Sequence, residues 1–341
     1  MQTLRKLLFP FTILYTFITS IRNGLYFIGI LKRTSFTTPT IVVGNLSVGG
    51  TGKTPMVEYL IRLLKDQYTL TTLSRGYKRK SKGFILANAQ SNMEDLGDEP
   101  YQYHYKFDNI GVAVDSNRVN GIHTILSEKK ETEVVLLDDA FQHLAVKAGF
   151  YILLTTYDEP YYKDFVLPTG NLRESRSGAK RANIIIITKC PKSLTKENQQ
   201  DIREKLNLKT GQLSFFTYIE FSKLVYSKCD EIQVDLLNHE EYILVAGIAK
   251  PQSFFDHLNG HLTRCLTFPD HHNFTTSDIE NILTLAEKKK IITTEKDYVR
   301  LKDLIPSDKL YYLPIQTSFI NDNELFDKTI LNYVGTSTRD S

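Results

Sequence analysis

Length, composition and charge exclude several classes of protein. The 341 residues are 41% hydrophobic, which supplies enough apolar side chain for a sizeable core, so we do not expect a disordered chain. A formal net charge of +3, from 42 basic and 39 acidic residues, gives no case for a nucleic acid partner. Cys190, Cys229 and Cys265 fit neither a disulfide framework nor a zinc pattern, which indicates a reducing compartment.

The first 33 residues combine an apolar, aromatic-rich run with flanking basic side chains. Pro10, Arg22 and Asn23 interrupt this run before it reaches the roughly 20 apolar residues that a transmembrane helix needs. No small-residue cleavage site of a signal peptide follows. We therefore expect residues 1–33 to form a helix that lies on a membrane surface. A helix packed on the protein's own core is the alternative.

A strand, a loop and a helix come next in the chain. Residues 40–43 form a β-branched run that ends in a glycine-rich turn, and residues 55–65 show helical spacing. Further apolar runs lack alternation, which is typical of parallel strands covered on both faces. Residues 34–212 are therefore predicted to form a P-loop core, an α/β fold with a doubly wound parallel sheet. These runs are 70–73, 110–114, 134–137, 151–155 and 184–187.

A second, smaller α/β domain is predicted over residues 222–308. Its strands are expected at 242–246 and 291–293, and its helices at 251–258 and 276–287. The β-rich segments 213–221 and 309–317 bracket this domain. They could pair as a two-strand connector.

The strongest chemical signal is the segment GNLSVGGTGKTP, which begins at residue 44 between a strand and a helix. It is a P-loop in the appropriate structural context. Lys53 can reach the β- and γ-phosphates, and Thr54 can offer its hydroxyl to Mg²⁺. ATP and Mg²⁺ are therefore expected. The predicted nucleotide-binding residues are Ser47, which replaces the first glycine of the motif, Val48, Gly49, Gly50, Thr51, Gly52, Lys53 and Thr54.

Two carboxylates follow the apolar run 134–137, in the pattern of a Walker B strand. Asp138 and Asp139 would lie at the carboxyl end of a parallel strand, where ligands of α/β proteins bind. One would hold the Mg²⁺ shell, and the other could orient a water, a metal ligand or a substrate hydroxyl. Upstream, Asp98 in the segment GDEP is a candidate proton acceptor on chemical type.

Basic and histidine side chains supply further candidates. Arg118, Arg173 and the basic stretch after Tyr77 could grip an anionic substrate, although each alone is more often a solvated charge. Two adjacent histidines in Asp270-His271-His272 cannot face one metal from one side of a helix, so zinc is not indicated. A proton-handling histidine and an ordinary surface histidine both remain open.

Taken together and in order, these motifs resemble the tetraacyldisaccharide 4'-kinase family. They are SVGGTGKTP, SRGY, GDEP, LLDDAFQH, LPTGNLRE, GIAKPQSF, FPDHHNF and TTEKD, and they cover nearly the whole chain. The resemblance implies transfer of the ATP γ-phosphate to the 4'-hydroxyl of a tetraacylated disaccharide 1-phosphate, giving lipid IVA in lipid A biosynthesis. It also implies a peripheral, monotopic location on the cytoplasmic face of the bacterial inner membrane.

The resemblance also assigns roles to single residues. It implies that Asp98 is the catalytic base, assisted by a histidine for which we favour His271. It places Asp138 at the metal. Asp139 and Lys53 complete the implied catalytic set. The implied substrate contacts are Tyr77, Arg118, His143, Arg173 and Glu174. The chain departs from the family pattern at Lys78 and Ala140, where glycine is usual.

The main alternative is a membrane-associated P-loop regulatory ATPase. Such switches typically carry an additional lysine just before the glycine pair, whereas Val48 stands there in this chain. A P-loop kinase for a soluble small molecule is a further alternative, in which the apolar N-terminal segment would be structural.

Overall fold

The computed structural model describes Arg5 and residues 7–339. Residues 1–4 and Lys6 of the predicted N-terminal segment lie outside the described residues. The first helix, α1, spans Phe9–Phe27, and Pro10 stands in its first turn, where a missing N–H costs no hydrogen bond. Thr12 is its buried residue, and most of its large apolar side chains are exposed. Among the helices that the structure describes, none combines the length and apolarity needed to cross a membrane.

The larger sheet and its helices account for the P-loop core. In chain order its elements are β1 (Thr40–Asn45), α2 (Lys53–Leu64), β2 (Leu70–Ser74), β3 (Ile85–Leu86), α3 (Met93–Leu96), α4 (Asp98–Lys106), β4 (Gly111–Val114), α5 (Arg118–Glu128), β5 (Val134–Asp138), β6 (Phe150–Thr156), β7 (Ile184–Thr188), α6 (Lys196–Leu206) and β8 (Leu213–Phe221).

In the sequence, the residues of the smaller sheet lie between two segments that belong to the larger sheet. Its elements are β9 (Leu224–Tyr226), β10 (Glu231–Gln233), β11 (Tyr242–Ala246), α7 (Gln252–His257), β12 (Arg264–Thr267), α8 (Thr276–Ala286), β13 (Lys290–Thr294), α9 (Glu295–Leu301) and β14 (Leu310–Leu313). The chain then returns to the larger sheet with β15 (Ile315–Phe319) and ends in α10 (Asn323–Arg339).

The strand order explains where ligands can bind. Among the described residues, the larger sheet has nine strands in the order β15-β8-β7-β6-β1-β5-β2-β4-β3, and all neighbours pair in parallel except β15 and β3 at the edges. Separate apolar clusters cover its two faces. This confirms the doubly wound α/β prediction. Because β1 lies between β5 and β6, the loops after β1 and β5 meet at the carboxyl edge of the sheet.

The smaller sheet has the order β10-β9-β14-β13-β11-β12, and its last four strands are parallel. The strand that pairs with β8 overlaps the predicted segment 309–317 at residues 315–317. Pro314 ends β14, which belongs to the smaller sheet, and the following strand β15 pairs antiparallel with β8. Proline has no N–H for a ladder, so the chain changes sheets at this residue. Residues 213–216 of β8 pair with β7, whereas residues 217–221 pair with β15.

Candidate active site

The P-loop leaves β1 and turns back on the segment 164–174. Gly49 and Gly52 adopt φ angles of +107° and +85°, which side chains disfavour. Ser47 forms a bridge with Leu172, and the Val48 N–H donates to the Asn171 carbonyl at 2.8 Å. The left-handed positions thus fall on glycines, and the serine at the start of the motif is accommodated.

Asn45 organises the inner side of the loop. Its Nδ2 donates to the Thr51 hydroxyl at 2.8 Å, and its Oδ1 lies 3.5 Å from Lys53 Nζ. Lys53 begins α2, and its Nζ also lies 3.7 Å from an Asp139 carboxylate oxygen. The N-terminus of α2 and the Lys53 ammonium therefore form one positive end, suited to the phosphates of a nucleotide.

Asp138 is buried at the carboxyl end of β5. Its Oδ2 lies 3.4 Å from the Ser74 hydroxyl and 3.3 Å from the Tyr103 hydroxyl, both of which can donate to it. Its Oδ1 is buried without a partner. Burial and then the negative charge of Asp139 raise the pKa of Asp138 to about 7. A cation at Oδ1 would relieve both effects.

These residues fit a magnesium site. In the part of the chain that the structure describes, no cluster of three or more His, Cys, Asp or Glu side chains could hold a metal by itself. Mg²⁺ in kinases binds one or two carboxylates and takes its other ligands from phosphates and water. The Thr54 side chain lies beside Tyr103, whose hydroxyl contacts Asp138, so Thr54 and Asp138 share a neighbour.

Asp139 differs from its neighbour in being paired with cations. Arg173 binds both of its oxygens, with Nη2 at 2.8 Å from Oδ1 and Nη1 at 3.2 Å from Oδ2. Burial by itself would raise the pKa of Asp139, but the charge of Lys53 and the Arg173 hydrogen bonds outweigh it and lower the pKa to about 2. Asp139 is therefore a carboxylate that fixes Arg173 beside Lys53.

Asp98 begins α4 and faces the smaller sheet. One carboxylate oxygen lies 2.5 Å from Nδ1 of His271, and both oxygens are bound by Arg300. Burial would raise the pKa of Asp98, but hydrogen bonds from His271 and Arg300 lower it to about 2. Asp98 and His271, 173 positions apart in the chain, are thus brought together, a pairing that only the family resemblance implied.

The two adjacent histidines have different partners. His271 has a φ of +57°, and the Tyr77 ring packs edge-on against its ring at 5.5 Å between centroids. His272 instead lies 3.0 Å from Asp278 and stacks on Phe268. The geometry therefore favours His271 as the partner of Asp98.

Of the residues predicted to contact substrate, Tyr77 lies beside His271, whereas Arg118, with His143 near it, lies towards Asp138 and Asp139. Tyr77 is 56% exposed, so its ring can reach a ligand. Arg118 begins α5 and is buried, which lowers its pKa to about 10, although Asp138 and Asp139 favour its charged form. Burial, followed by the charge of Arg118, lowers the pKa of His143 to about 4, so this imidazole is neutral at pH 7. The His143 Nε2 is buried without a partner.

Glu174 lies beneath the site, where both of its oxygens are occupied. Arg181 binds them at 2.7 and 2.9 Å, Gln142 donates at 3.0 Å, and Asn23 of α1 donates at 2.9 Å. Its predicted substrate contact stays a prediction. The observed contacts support the Arg173 backbone next to it.

The departures from the family pattern have different structural settings. Lys78 has a φ of +60°, a conformation that glycine adopts without strain. Ala140 is buried, and the left-handed residue beside it is Asp139, with a φ of +47°. The Lys78 side chain adds a contact that glycine could not make, because its Nζ lies 3.4 Å from the His271 carbonyl oxygen.

Sequence reasoning missed Asn45, Lys296 and Arg300. Asn45 stands in the P-loop segment, but nothing in its spacing shows that it contacts Arg173. Lys296 belongs to the motif TTEKD, and Arg300 follows that motif by three residues. The motif was the available signal, and the structure places it between the two sheets, opposite Asp98.

Comparisons with known proteins agree with this geometry. Residues 4–335 match the family model of tetraacyldisaccharide-1-P 4'-kinase. The chain is 59% identical to a tetraacyldisaccharide 4'-kinase from Flavobacterium johnsoniae, over 98% of each protein. It is 42% identical to one from Bacteroides thetaiotaomicron, over 99% of this chain and 95% of that protein. The crystal structure of the "apo" form of LpxK from Aquifex aeolicus in complex with ATP superposes with a TM-score of 0.77 and 34% identity, covering 97% of this chain and 99% of that one. The chain belongs to the tetraacyldisaccharide 4'-kinase family.

Proposed function

We propose that the protein transfers the γ-phosphate of ATP to the 4'-hydroxyl of tetraacyldisaccharide 1-phosphate, giving lipid IVA in lipid A biosynthesis. The observation that carries this proposal is the position of α4. It begins at Asp98 and contacts Asp138 through Tyr103, five residues later. Five residues of helix rise about 7.5 Å. One helix thus carries Asp98 at its start and contacts the Asp138 end of β5, which supports transfer from a nucleotide at the loop to a hydroxyl at Asp98.

On the nucleotide side, residues 47–54 would cradle the triphosphate with backbone N–H groups. Lys53 and Arg173 would balance the charge that spreads over the transferred group, and Asp139 holds both cations in place. Thr54 and Asp138 would hold Mg²⁺, which supplies further neutralisation of the phosphate oxygens. Arg118 and His143 border the same region and would contact the acceptor or the transferred group.

On the acceptor side, Asp98 would accept the proton of the 4'-hydroxyl as the new oxygen–phosphorus bond forms. Transfer passes through a loose transition state in which the attacking oxygen gains charge late, so a weakly basic carboxylate suffices if it is well placed. His271 donates to that carboxylate and would orient it. The exposed ring of Tyr77 would pack on the sugar.

We propose that α1 and the residues around it, 1–33, bind the membrane surface that contains the acceptor lipid. Phe11, Ile13, Phe17 and Ile18 are each more than half exposed. An apolar helix face of this kind, flanked by basic residues, suits an interfacial position. The acyl chains could then stay in the bilayer while the sugar reaches Asp98. Because ATP is cytoplasmic, this surface would be the cytoplasmic face of the inner membrane.

We also propose the domain division made from the sequence, with residues 34–212 as the kinase core and residues 222–308 as the smaller domain. The separate apolar clusters of the two sheets support it.

The decisive experiment is incubation of the full chain with labelled ATP, Mg²⁺ and purified tetraacyldisaccharide 1-phosphate in detergent micelles. We expect a product with one added phosphate, located at the 4'-position by NMR. Hydrolysis of ATP without transfer, stimulated by vesicles, would favour the regulatory ATPase. Transfer to a soluble sugar but not to the lipid would favour a small-molecule kinase.

The membrane proposal has its own test, which is co-flotation with vesicles containing anionic lipid. Replacing Phe11 and Phe17 by serine should weaken binding by about tenfold per residue, since burying one such side chain is worth about 1.5–3 kcal/mol. The matched control replaces Leu236 and Leu262, which are 72% and 52% exposed in the smaller domain. Equal losses in both double variants would contradict the proposal.

A further inference from the structure

The helix α9 crosses from the smaller sheet to the acceptor side of the site. Its first residues belong to the motif TTEKD, for which the adenine end of the nucleotide site and the cleft between the domains were both open positions. Lys296 and Arg300 lie one turn apart on this helix, and both reach residues proposed for catalysis.

Arg300 is buried and binds the Asp98 carboxylate with two of its nitrogens. Its Nε donates to Oδ1 at 3.3 Å and its Nη2 donates to Oδ2. Its remaining nitrogen, Nη1, lies 3.3 Å from the buried carboxylate of Asp297. Asp297 in turn accepts from the Gly247 N–H and the Thr294 hydroxyl, each at 2.8 Å. Asp297 therefore fixes the guanidinium group through Nη1, while Nε and Nη2 bind Asp98.

Lys296 acts on the other member of the pair. Its Nζ lies 3.0 Å from Nε2 of His271. An ammonium group can only donate, so Nε2 must carry a lone pair in this contact. The proton of the neutral imidazole then resides on Nδ1, where it is donated to Asp98 at 2.5 Å. Asp270, whose Oδ1 is 3.2 Å from Lys296 Nζ, and Glu99, at 3.7 Å, hold the ammonium in place.

Resting on the function proposed above, we propose that Lys296 and Arg300 are positioning residues for the Asp98–His271 pair. Arg300 orients the carboxylate, and Lys296 selects the histidine tautomer that donates to it. Arg300 Nη2 also lies 3.2 Å from His271 Nδ1, and since both groups carry protons there, they share the Asp98 oxygen as acceptor. The pair is therefore complete only when α9 lies against α4.

The charges around Asp98 give this proposal a pH signature. Removing Arg300 takes away one of the two partners, the other being His271, whose hydrogen bonds and charges hold the pKa of Asp98 at about 2. A base must be deprotonated to act, so the acidic limb of kcat/KM should move to higher pH in an Arg300 variant. The titratable and charged groups facing this region are Tyr77 and Lys78 before α3, Glu99 on α4, Asp270 and His271 after β12, and Lys296, Asp297 and Arg300 on α9.

The test compares full-length Arg300→Ala, Arg300→Lys and Lys296→Met with the wild-type kinase. We expect kcat to fall by about 10- to 100-fold, the size of effect typical of misplaced catalytic groups. The dissociation constant for ATP should stay within about twofold of wild type, because neither side chain contacts the P-loop. In Arg300→Ala, the acidic limb of the kcat/KM profile should move to higher pH. Added guanidinium should restore part of the activity of this variant. Arg300→Lys keeps the positive charge but loses the two parallel hydrogen bonds of the guanidinium group, so the acidic limb of its kcat/KM profile should shift less.

Lys302→Met is the matched control. Lys302 follows α9 and crosses the same interface, but its ammonium lies over the rings of Tyr101 and Tyr105 and not on Asp98. It should keep near wild-type kcat and an unchanged pH profile. An equal loss in Lys302→Met, or variants of Lys296 and Arg300 with unchanged kcat and pH profile, would overturn the proposal.

Two safeguards keep the outcome interpretable. If Arg300→Ala does not fold, as judged by circular dichroism, Arg300→Lys and Lys296→Met carry the test. Failure of the proposed function would appear as absence of lipid phosphorylation by the wild-type chain. Failure of the positioning role would appear as unaltered variants of an active kinase, so the two results are distinct.

Discussion

The nucleotide side and the acceptor side of the site differ in how they are assembled. The nucleotide side (Asn45, Lys53, Asp138, Asp139 and Arg173) comes from the larger sheet and the loops at its carboxyl edge. The acceptor side (Asp98, His271, Lys296 and Arg300) takes its first residue from the larger sheet's helices and the rest from the smaller unit. The first side can exist in a single domain, whereas the second forms only where the two units touch.

The electrostatics of the two sides differ in the same way. Cations from one domain hold the pKa of Asp139 at about 2, whereas the cation and the histidine that lower the pKa of Asp98 come across the interface. Asp138 has one carboxylate oxygen without a hydrogen-bond partner and a raised pKa, as expected for a carboxylate that binds a cation. We therefore expect ATP binding and chemistry to respond separately to substitutions on the two sides.

The largest effect is expected from Asp98→Asn. Loss of the proton acceptor should lower kcat by about 10²- to 10⁴-fold. The dissociation constant for ATP, measured by calorimetry, should stay unchanged because Asp98 lies on the acceptor side. Asp108→Asn, an exposed carboxylate just after α4, is the control. If the Kd for ATP rose in parallel with the loss of kcat, the nucleotide side and the acceptor side would not be separate.

Lys53→Met should affect both binding and rate. Removing one charged donor from the transferred phosphate should cost about 10²- to 10³-fold in kcat, and ATP should also bind more weakly. Lys65→Met, at the other end of α2, should leave both quantities unchanged. Full ATP affinity and full kcat in Lys53→Met would remove Lys53 from the nucleotide side.

The third prediction compares truncations in the apolar cores of the two sheets. Ile292 in β13 and Ile186 in β7 are both fully buried, and truncating either to alanine should cost about 2–5 kcal/mol in the free energy of unfolding of its own unit. Ile292→Ala should lower kcat while ATP affinity is retained, and Ile186→Ala should weaken ATP binding. Denaturant titration with bound-ATP measurements would detect the difference. If the two variants had the same unfolding curve, ATP affinity and kcat, the two sheets would form one cooperative unit.

The smallest effect is expected at α1. The Thr12 hydroxyl pairs with the Thr169 hydroxyl at 2.7 Å and accepts from the Thr169 N–H at 3.1 Å. Thr12→Val should therefore lower the free energy of unfolding by about 1 kcal/mol. Thr19→Val, whose hydroxyl bonds only within α1, should change it much less. Equal changes in urea titrations would mean that α1 does not support the loop that carries Arg173.

The nucleotide side was largely predictable from the sequence. A strand, a glycine-rich turn and a helix define the P-loop locally, and the apolar run before Asp138 marks its position at a strand end. The acceptor side was predictable only as separate residues. The contact between Asp98 and His271 spans 173 positions and depends on how two sheets meet, which no local pattern encodes. Arg300 carries no distinguishing spacing at all.

Similar reasons explain why the predicted partner of β8, residues 309–317, overlaps the observed strand only at residues 315–317. Residues 310–313 and 315–319 are both β-rich, and the sequence gives no measure of which sheet each one joins. Pro314 is the only local sign that the ladder is interrupted there. The family resemblance supplied what local patterns could not, because it placed the scattered motifs in a single site.

The chain passes between the two sheets twice, after β8 and before β15, and these strands lie side by side as an antiparallel pair. A single peptide linker would let the smaller unit swivel about its bonds. Two hydrogen-bonded strands about 4.8 Å apart restrict that rotation, because turning about one strand alone would break the ladder that joins it to the other. Any separation of the two units should thus follow one arc, and reclosure should return His271 and Arg300 to the same carboxylate each time.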